Sequence, residues 1–449
     1  MLENLTPETH LTVGDIAFTR LLLFHVPGCS MLRTLLVSTS GTAEYGTRPS
    51  RSTTPGAYNA MKVTAVTTLS ASRFNYVKVE TDEGITGVGE LHPASGTGGT
   101  PFVPRAAVEY CAEYLVGKDP GHIERHWQHM FRRQLFRGGS DMMAAIGAID
   151  IALWDIKGKA LNKPVYELLG GPTREKVRLY THLGGNTPEA LAEETAARVE
   201  EGFTALRVYP FGDFGNSDFE EGLGLETMSY TGMQNNAVER IAAVREAAGP
   251  DVDIMIDVVN RLTPAEAIGL GRALEPFNLY FYEDPIEPEN MDQWGWVAEQ
   301  QPIPLAMGER LYTVYQFLDL LNHKGAAFVR PDLSLAGGIT NVKKIAAIAE
   351  ANYVGVVPHN PLSGVLTAAC VQIDAATHNI AVQEYPYDDD KGIKAELVKE
   401  PLKRVGGYLE VPTKPGIGVE LNEEAFKHHP PVPYERPPLI NFDGSLREY

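Results

Sequence analysis

Six residues able to hold a metal or move a proton recur at a regular interval through the second half of the chain: Asp257, Glu283, Glu309, Asp332, His359 and Glu384. Each closes a short apolar, β-rich run, as in DIMID, YFYED, LAMGE, VRPD and VVPH. One carboxylate at a strand end commonly caps a helix or pairs with an arginine. Six in phase would meet at one mouth, where like charges repel unless protons or a cation neutralise them. Three carboxylates with water suit octahedral Mg²⁺, and the lack of cysteine among them argues against zinc. Asp257, Glu283 and Glu309 are the metal candidates. Asp284 competes with Glu283, but Pro285 ends that run and favours Glu283 as the inward residue. Asp332 and His359, on successive runs, form a second set. A carboxylate beside an imidazole raises its pKa and fixes its orientation, which suits a general base.

The elements that must position these groups repeat. Apolar runs end at Tyr180, Tyr209 and the six residues above, spaced by 23 to 29 residues apart from one gap of 48 between Tyr209 and Asp257. Helix-like stretches at 190–200, 237–248, 264–274, 314–322 and 342–351 lie between them. Eight strand–helix units in this rhythm predict an α/β fold, a closed TIM-type barrel over 173–400. The long gap holds an insertion at 210–234, expected to overhang the mouth. Residues 61–172 read as a small α+β unit: two β-like runs, KVTAVTTL and YVKVETDEGITGVGE, then apolar positions at helical spacing. Around 144–156 the apolar residues go nearly all the way round, so that helix should be buried. Residues 1–60 carry no assignable pattern and are read as an extension. The proline-dense tail, 401–449, is expected to pack on the 61–172 unit.

Composition excludes several classes. A hydrophobic fraction of 43% and a net charge of −19 describe a globular chain poorly suited to nucleic-acid phosphates. No run of 18 apolar residues occurs, so a membrane span is not expected. Three widely spaced cysteines, Cys29, Cys111 and Cys370, read as thiols in a reducing cytoplasm.

Several lines together resemble the enolase superfamily, within it the mandelate racemase branch: VETDEGITGVGE, AIGAIDIALWDIKGKALNKPVYELLGG, DIMID, YFYEDPIEP, PLAMGERL, VRPDLSLAGGIT and VVPHNP. The resemblance covers about 61–384. It implies a capping domain over a modified barrel, Mg²⁺ on Asp257, Glu283 and Glu309, and the pair Asp332–His359 as the base. It also implies that the cation stabilises the enediolate formed when the proton beside a carboxylate leaves, as the enolase-type pattern describes. Glu384 matches the acid that hydrogen-bonds the substrate carboxylate, and His182 and Arg310 are further candidate substrate contacts. A small carboxylate substrate and a symmetric homo-oligomer are expected by the same analogy.

Two strands depart from the branch. Where relatives carry Lys-x-Lys on the second strand, ALRVYP places Arg207 and Tyr209. An arginine stays protonated, so it is a poor base, but it lowers a neighbouring phenol's pKa or binds a carboxylate. The arrangement is similar to the Arg/Tyr pair of mannonate dehydratase, with Tyr209 or Tyr230 as the partner. Two residues after Asp257, where mannonate and galactonate dehydratases carry an acid histidine, stands Val259. Either His359 returns the proton it removed, or another group such as His182 helps. The leading expectation is acid-sugar dehydration. A racemase or epimerase, using Arg207–Tyr209 as the second base, and a non-catalytic carboxylate-binding member are the alternatives.

Overall fold

Two β-like runs of the first unit become three strands, because Asp82-Glu83-Gly84 turns the second back on itself, with Gly84 at φ +73. In the computed structural model, which describes residues 61–94, 101–212, 229–432, 439–440 and 444–447, Val63–Ala71 (β1), Phe74–Thr81 (β2) and Thr86–Glu90 (β3) form an antiparallel sheet in the order β1-β2-β3. Residues 1–60 and the expectation placed on them lie outside the described residues. Helices Phe102–Leu115 (α1), Ile123–Arg132 (α2) and Gly139–Ala160 (α3) follow.

α3 is buried all round because it is sandwiched. On one side Gly87 and Gly89 admit its backbone: a Cβ on either would stand 2.0 Å from a carbonyl oxygen of Ala152 or Ala148. On the other side Gly147 lies against the Ser334 carbonyl, 1.9 Å from where its Cβ would be. Asp150 accepts from the Thr340 N–H (2.9 Å) and hydroxyl (2.5 Å), and Trp127 Nε1 donates to the Gly337 carbonyl at 2.7 Å. The helix line and the GGIT turn, far apart in sequence, are the two halves of one joint.

The barrel strands are Lys176–Leu183 (β4), Ala205–Val208 (β5), Asp253–Asp257 (β6), Phe281–Glu283 (β7), Leu305–Met307 (β8), Phe328–Val329 (β9), Gly355–Val356 (β10) and Gln383–Glu384 (β11). Each pairs in parallel with the next from β4 to β10. β11 pairs with β4, and a parallel bridge joins Val356 to Ile380, so hydrogen bonding continues round the ring. Tyr180, Ala205, Met255, Phe281, Ala306, Val357 and Val382 fill the interior, a packed core rather than a pore. Between the strands lie Val165–Leu168 (α4, before β4), Pro188–Glu200 (α5), Tyr230–Ala248 (α6), Pro264–Leu274 (α7), Met291–Gln300 (α8), Val314–Asn322 (α9), Gly338–Ala351 (α10) and Gly364–Ala375 (α11).

Three boundaries differ from expectation. β4 runs on to Leu183, so His182 is a strand residue rather than one beyond the strand. α10 starts at Gly338 because Gly337, at φ +82, supplies a left-handed cap that hides the helical period. The insertion stops before 230: Ser229 Oγ accepts from the Gly232 N–H and starts α6. Its 213–228 portion lies outside the described residues. In the tail, Tyr408–Glu410 pairs antiparallel with β4 of the barrel, while the Val432 N–H reaches the Ser72 carbonyl (3.0 Å) in the first unit. Among the described residues no helix is long and apolar enough to cross a membrane.

Candidate active site

Residues two apart on a strand share a face, so the ends of β4 to β11 deliver alternate side chains to one mouth. The extensions of β9 and β10 meet in a parallel bridge between Asp332 and His359. That bridge sets His359 Nδ1 3.0 Å from Asp332 Oδ2. Asp332 Oδ1 accepts from the Leu335 N–H at 2.8 Å, so the carboxylate cannot turn. Burial alone would lower the His359 pKa, but Glu309, Glu384 and Asp332 outweigh it and raise it to about 9. His359 Nε2 points to Glu309, 3.3 Å away. From the first unit, His92 Nε2 lies 3.9 Å from Asp332 Oδ2, while its Nδ1 accepts from the Ala94 N–H at 2.9 Å.

Beside this pair is an acid cluster. Carboxylate oxygens of Glu283, Asp284 and Glu309 lie within 4.8 Å of one another. Glu283 Oε2 and Asp284 Oδ1 are buried with no hydrogen-bond partner. Burial, then neighbouring carboxylates, push Asp284 well above the usual carboxylate range. Burial also pushes Glu309 up, but His359, Arg330 and Arg310 prevail and hold it below. Asp257 neighbours Glu283 in the sheet register, yet it stands outside the close group. Its Oδ2 pairs with Arg207 Nη1 at 2.8 Å, and its Oδ1 accepts from the Val259 N–H at 2.9 Å. Val259 and Asp284, at φ +52 and +41, occupy left-handed backbone where side chains are uncommon.

The opposite face is arginine-rich. Arg207 Nη2 donates to the Tyr209 hydroxyl. Tyr230 is not the partner: its hydroxyl reaches the Glu266 carbonyl at 3.2 Å, on α7. Burial pushes the Tyr209 phenol above its ordinary range despite Arg207. His182 Nε2 donates to Glu384 Oε1 (2.8 Å), and its Nδ1 faces Arg207 Nη2 at 3.4 Å. Burial and then Arg207 lower the His182 pKa to about 4. Both of its nitrogens are thus turned to protein groups, and the expected contact with substrate has no ring nitrogen to spare. Glu384 is also held by protein groups. Its Oε2 takes Arg330 Nη2 (2.6 Å) and the Asn360 N–H (2.9 Å). Burial alone would raise it, but Arg330, His359, His182 and Arg207 hold it well below the usual range. Arg310 is half-buried beside Glu309.

Sequence reasoning passed over Arg330, which bridges Glu283 and Glu384. Its signal was available: it precedes Asp332 by two residues. His92 carried no comparable signal, because only the fold brings the first unit over the dyad.

The donors fit a hard divalent cation. The close group Glu283, Asp284 and Glu309 offers only carboxylate oxygens, and of these Glu283 Oε2 and Asp284 Oδ1 have no protein partner among the described residues. A barrel whose strand ends combine such a cluster with an Asp–His pair defines a class of metal-assisted proton-abstracting enzymes.

Comparison with known proteins narrows the class. A family model described as the mandelate racemase / muconate lactonizing enzyme N-terminal domain matches residues 53–170, and one described as enolase C-terminal domain-like matches residues 190–425. The chain belongs to the mandelate racemase / muconate lactonizing enzyme family of the enolase superfamily. The D-galactonate dehydratase of Xanthomonas oryzae pv. oryzae is 40% identical over 397 residues, spanning 87% of this chain and all of that protein. The D-galactonate dehydratase of Variovorax paradoxus is 39% identical over the same shares. An enolase of Agrobacterium radiobacter, a putative galactarate dehydratase solved with sodium and L-malate, is 31% identical. It superposes with a TM-score of 0.77 over 86% of this chain and 99% of its own.

Proposed function

We propose that this chain is an Mg²⁺-dependent acid-sugar dehydratase that converts a sugar acid to a 2-keto-3-deoxy acid. The observation that carries the reading is the Asp332–His359 pair set 3.3 Å from the acid cluster through Glu309, in a chain 40% identical to a D-galactonate dehydratase. Glu283 and Glu309 would hold the cation, with the third carboxylate from Asp284, or from Asp257 once Arg207 releases it. When bound, Mg²⁺ supplies positive charge that offsets the surplus of carboxylates and the anion left by proton loss.

The chain's own residues do the rest. Asp332 fixes the His359 tautomer so that Nε2 faces the substrate and takes the proton beside its carboxylate. The hydroxyl on the adjacent carbon then leaves as the double bond forms, and the resulting enol ketonises. Val259 has no proton for that hydroxyl, and the nitrogens of His182 are committed to Glu384 and Arg207. In this reading the proton on His359 is the one returned, which makes the elimination syn. Arg310 and Arg207 contribute positive charge for the substrate carboxylate, and burial favours the neutral phenol of Tyr209 against the pull of Arg207. Cys111 and Cys370, buried and unpaired, fit a reducing cytoplasm, and exposed Phe102 and Phe136 fit burial between identical chains.

The test is proton NMR of pure protein with Mg²⁺ and a panel of mono- and diacid sugars in D₂O. Loss of the signal from the proton beside the carboxylate, with a new 2-keto-3-deoxy product, supports the reading. No exchange on any sugar acid, with or without EDTA, refutes it.

A further inference from the structure

Arg330 has no exposed surface and takes no part in the proton transfer described above. It follows β9 directly, and its guanidinium spans the floor of the mouth. Nη1 donates to Glu283 Oε1, while Nη2 donates to Glu384 Oε2 at 2.6 Å and to the Tyr180 hydroxyl at 2.7 Å. A planar fork gripping two carboxylates fixes both orientations, which an ammonium on a flexible stem does not do. Held this way, Glu283 turns its other oxygen, Oε2, away from any protein partner. Glu384, held at the same time, keeps His182 and the Asn360 N–H in place. The grip has an electrostatic consequence. A cation arriving at Glu283 meets a carboxylate already shared with a fixed positive charge, in a buried site where water screens little.

We propose that Arg330 is a resident counter-cation, a positioning residue that orients Glu283 and Glu384 and weakens the acid cluster's hold on a divalent cation. The proposal rests on the reading of that cluster as a cation site. Its distinguishing consequence is one of sign: removing a buried arginine ordinarily damages a site, whereas here the site should bind metal more tightly.

The experiment titrates Mn²⁺ into the full chain and into Arg330→Gln and Arg330→Lys without substrate. Free Mn²⁺ is read by electron paramagnetic resonance, and folding is checked by circular dichroism. Arg330→Gln is expected to bind Mn²⁺ about tenfold more tightly, since a buried unit charge is removed. Arg330→Lys keeps the charge but cannot span both carboxylates, so a smaller gain of about threefold is expected. If Arg330→Gln does not fold, Arg330→Lys decides. Unchanged or weaker binding in a folded variant, beside a parent that binds Mn²⁺, overturns the role of Arg330 alone. A parent that binds no Mn²⁺ overturns the cation-site reading and this proposal with it.

Discussion

The two faces of the mouth are built from different materials. On the β9–β10 face, Asp332 holds His359 at 3.0 Å and raises its basicity together with Glu309 and Glu384. On the β4–β5 face, Arg207 is tied to Asp257 and Tyr209, and His182 is tied to Glu384. One face offers a nitrogen that accepts a proton. The other presents a phenol that burial pushes above its ordinary range and an imidazole whose two nitrogens face Glu384 and Arg207. A racemase needs a base on each side of the substrate, whereas a dehydratase of the kind proposed needs one. Under the proposed mechanism, the difference between the faces is what favours dehydration over racemisation.

Removing the metal should have the largest effect. With EDTA, turnover of the responsive sugar acid should fall to background and return on adding Mg²⁺, measured by 2-keto acid formation. Turnover that survives chelation would leave the acid cluster without its proposed role. Replacing the base comes next. His359→Asn should lower kcat by roughly 10³-fold, within the range for a lost general base, with the fold intact by circular dichroism. A loss of only a few-fold would move the base to the other face.

Tyr209→Phe sharpens the contrast from the opposite side. It should lower kcat by no more than about tenfold, because a neutral phenol contributes a hydrogen bond and not a base. Loss of deuterium exchange in that variant would make Tyr209 a base and break the comparison. The smallest effect concerns stability. Glu90, buried where β3 meets the start of α11, accepts from the Ser363 N–H and hydroxyl and the Leu366 N–H, and burial raises its pKa to about 8. Unfolded, it ionises near the ordinary value of about 4.3. Between those values the unfolded chain releases a proton that the folded chain keeps, so this group erodes stability as pH rises from about 4 to 8. In urea titrations, Glu90→Gln should show a shallower decline across that window. An unchanged slope would place the pH dependence elsewhere.

Much of this was legible in the chain. The barrel followed from the spacing of eight strand ends, and the dyad from Asp332 and His359 on successive strands, because strand periodicity is local. The all-round apolar helix was rightly read as buried, though its joint with the GGIT turn required the fold. What was not legible depends on long-range partners. The expectation for Glu384 names only the substrate, and the fold adds Arg330 and His182 as its protein partners. The start of α6 at Tyr230 was hidden because the apolar period begins further on, while Ser229 caps the helix from within the polar stretch. Sequence placed Asp257 among the ligands and Asp284 behind Glu283, whereas the fold groups Asp284 with Glu283 and Glu309 and pairs Asp257 with an arginine from another strand.

The most direct test of a one-base mouth is the configuration of unreacted substrate recovered part-way through turnover in D₂O with Mg²⁺. The account predicts a 2-keto-3-deoxy product alongside remaining sugar acid that keeps its original configuration beside the carboxylate. A deuterium-bearing epimer at that carbon would show a working base on the Arg207–Tyr209 face and contradict it.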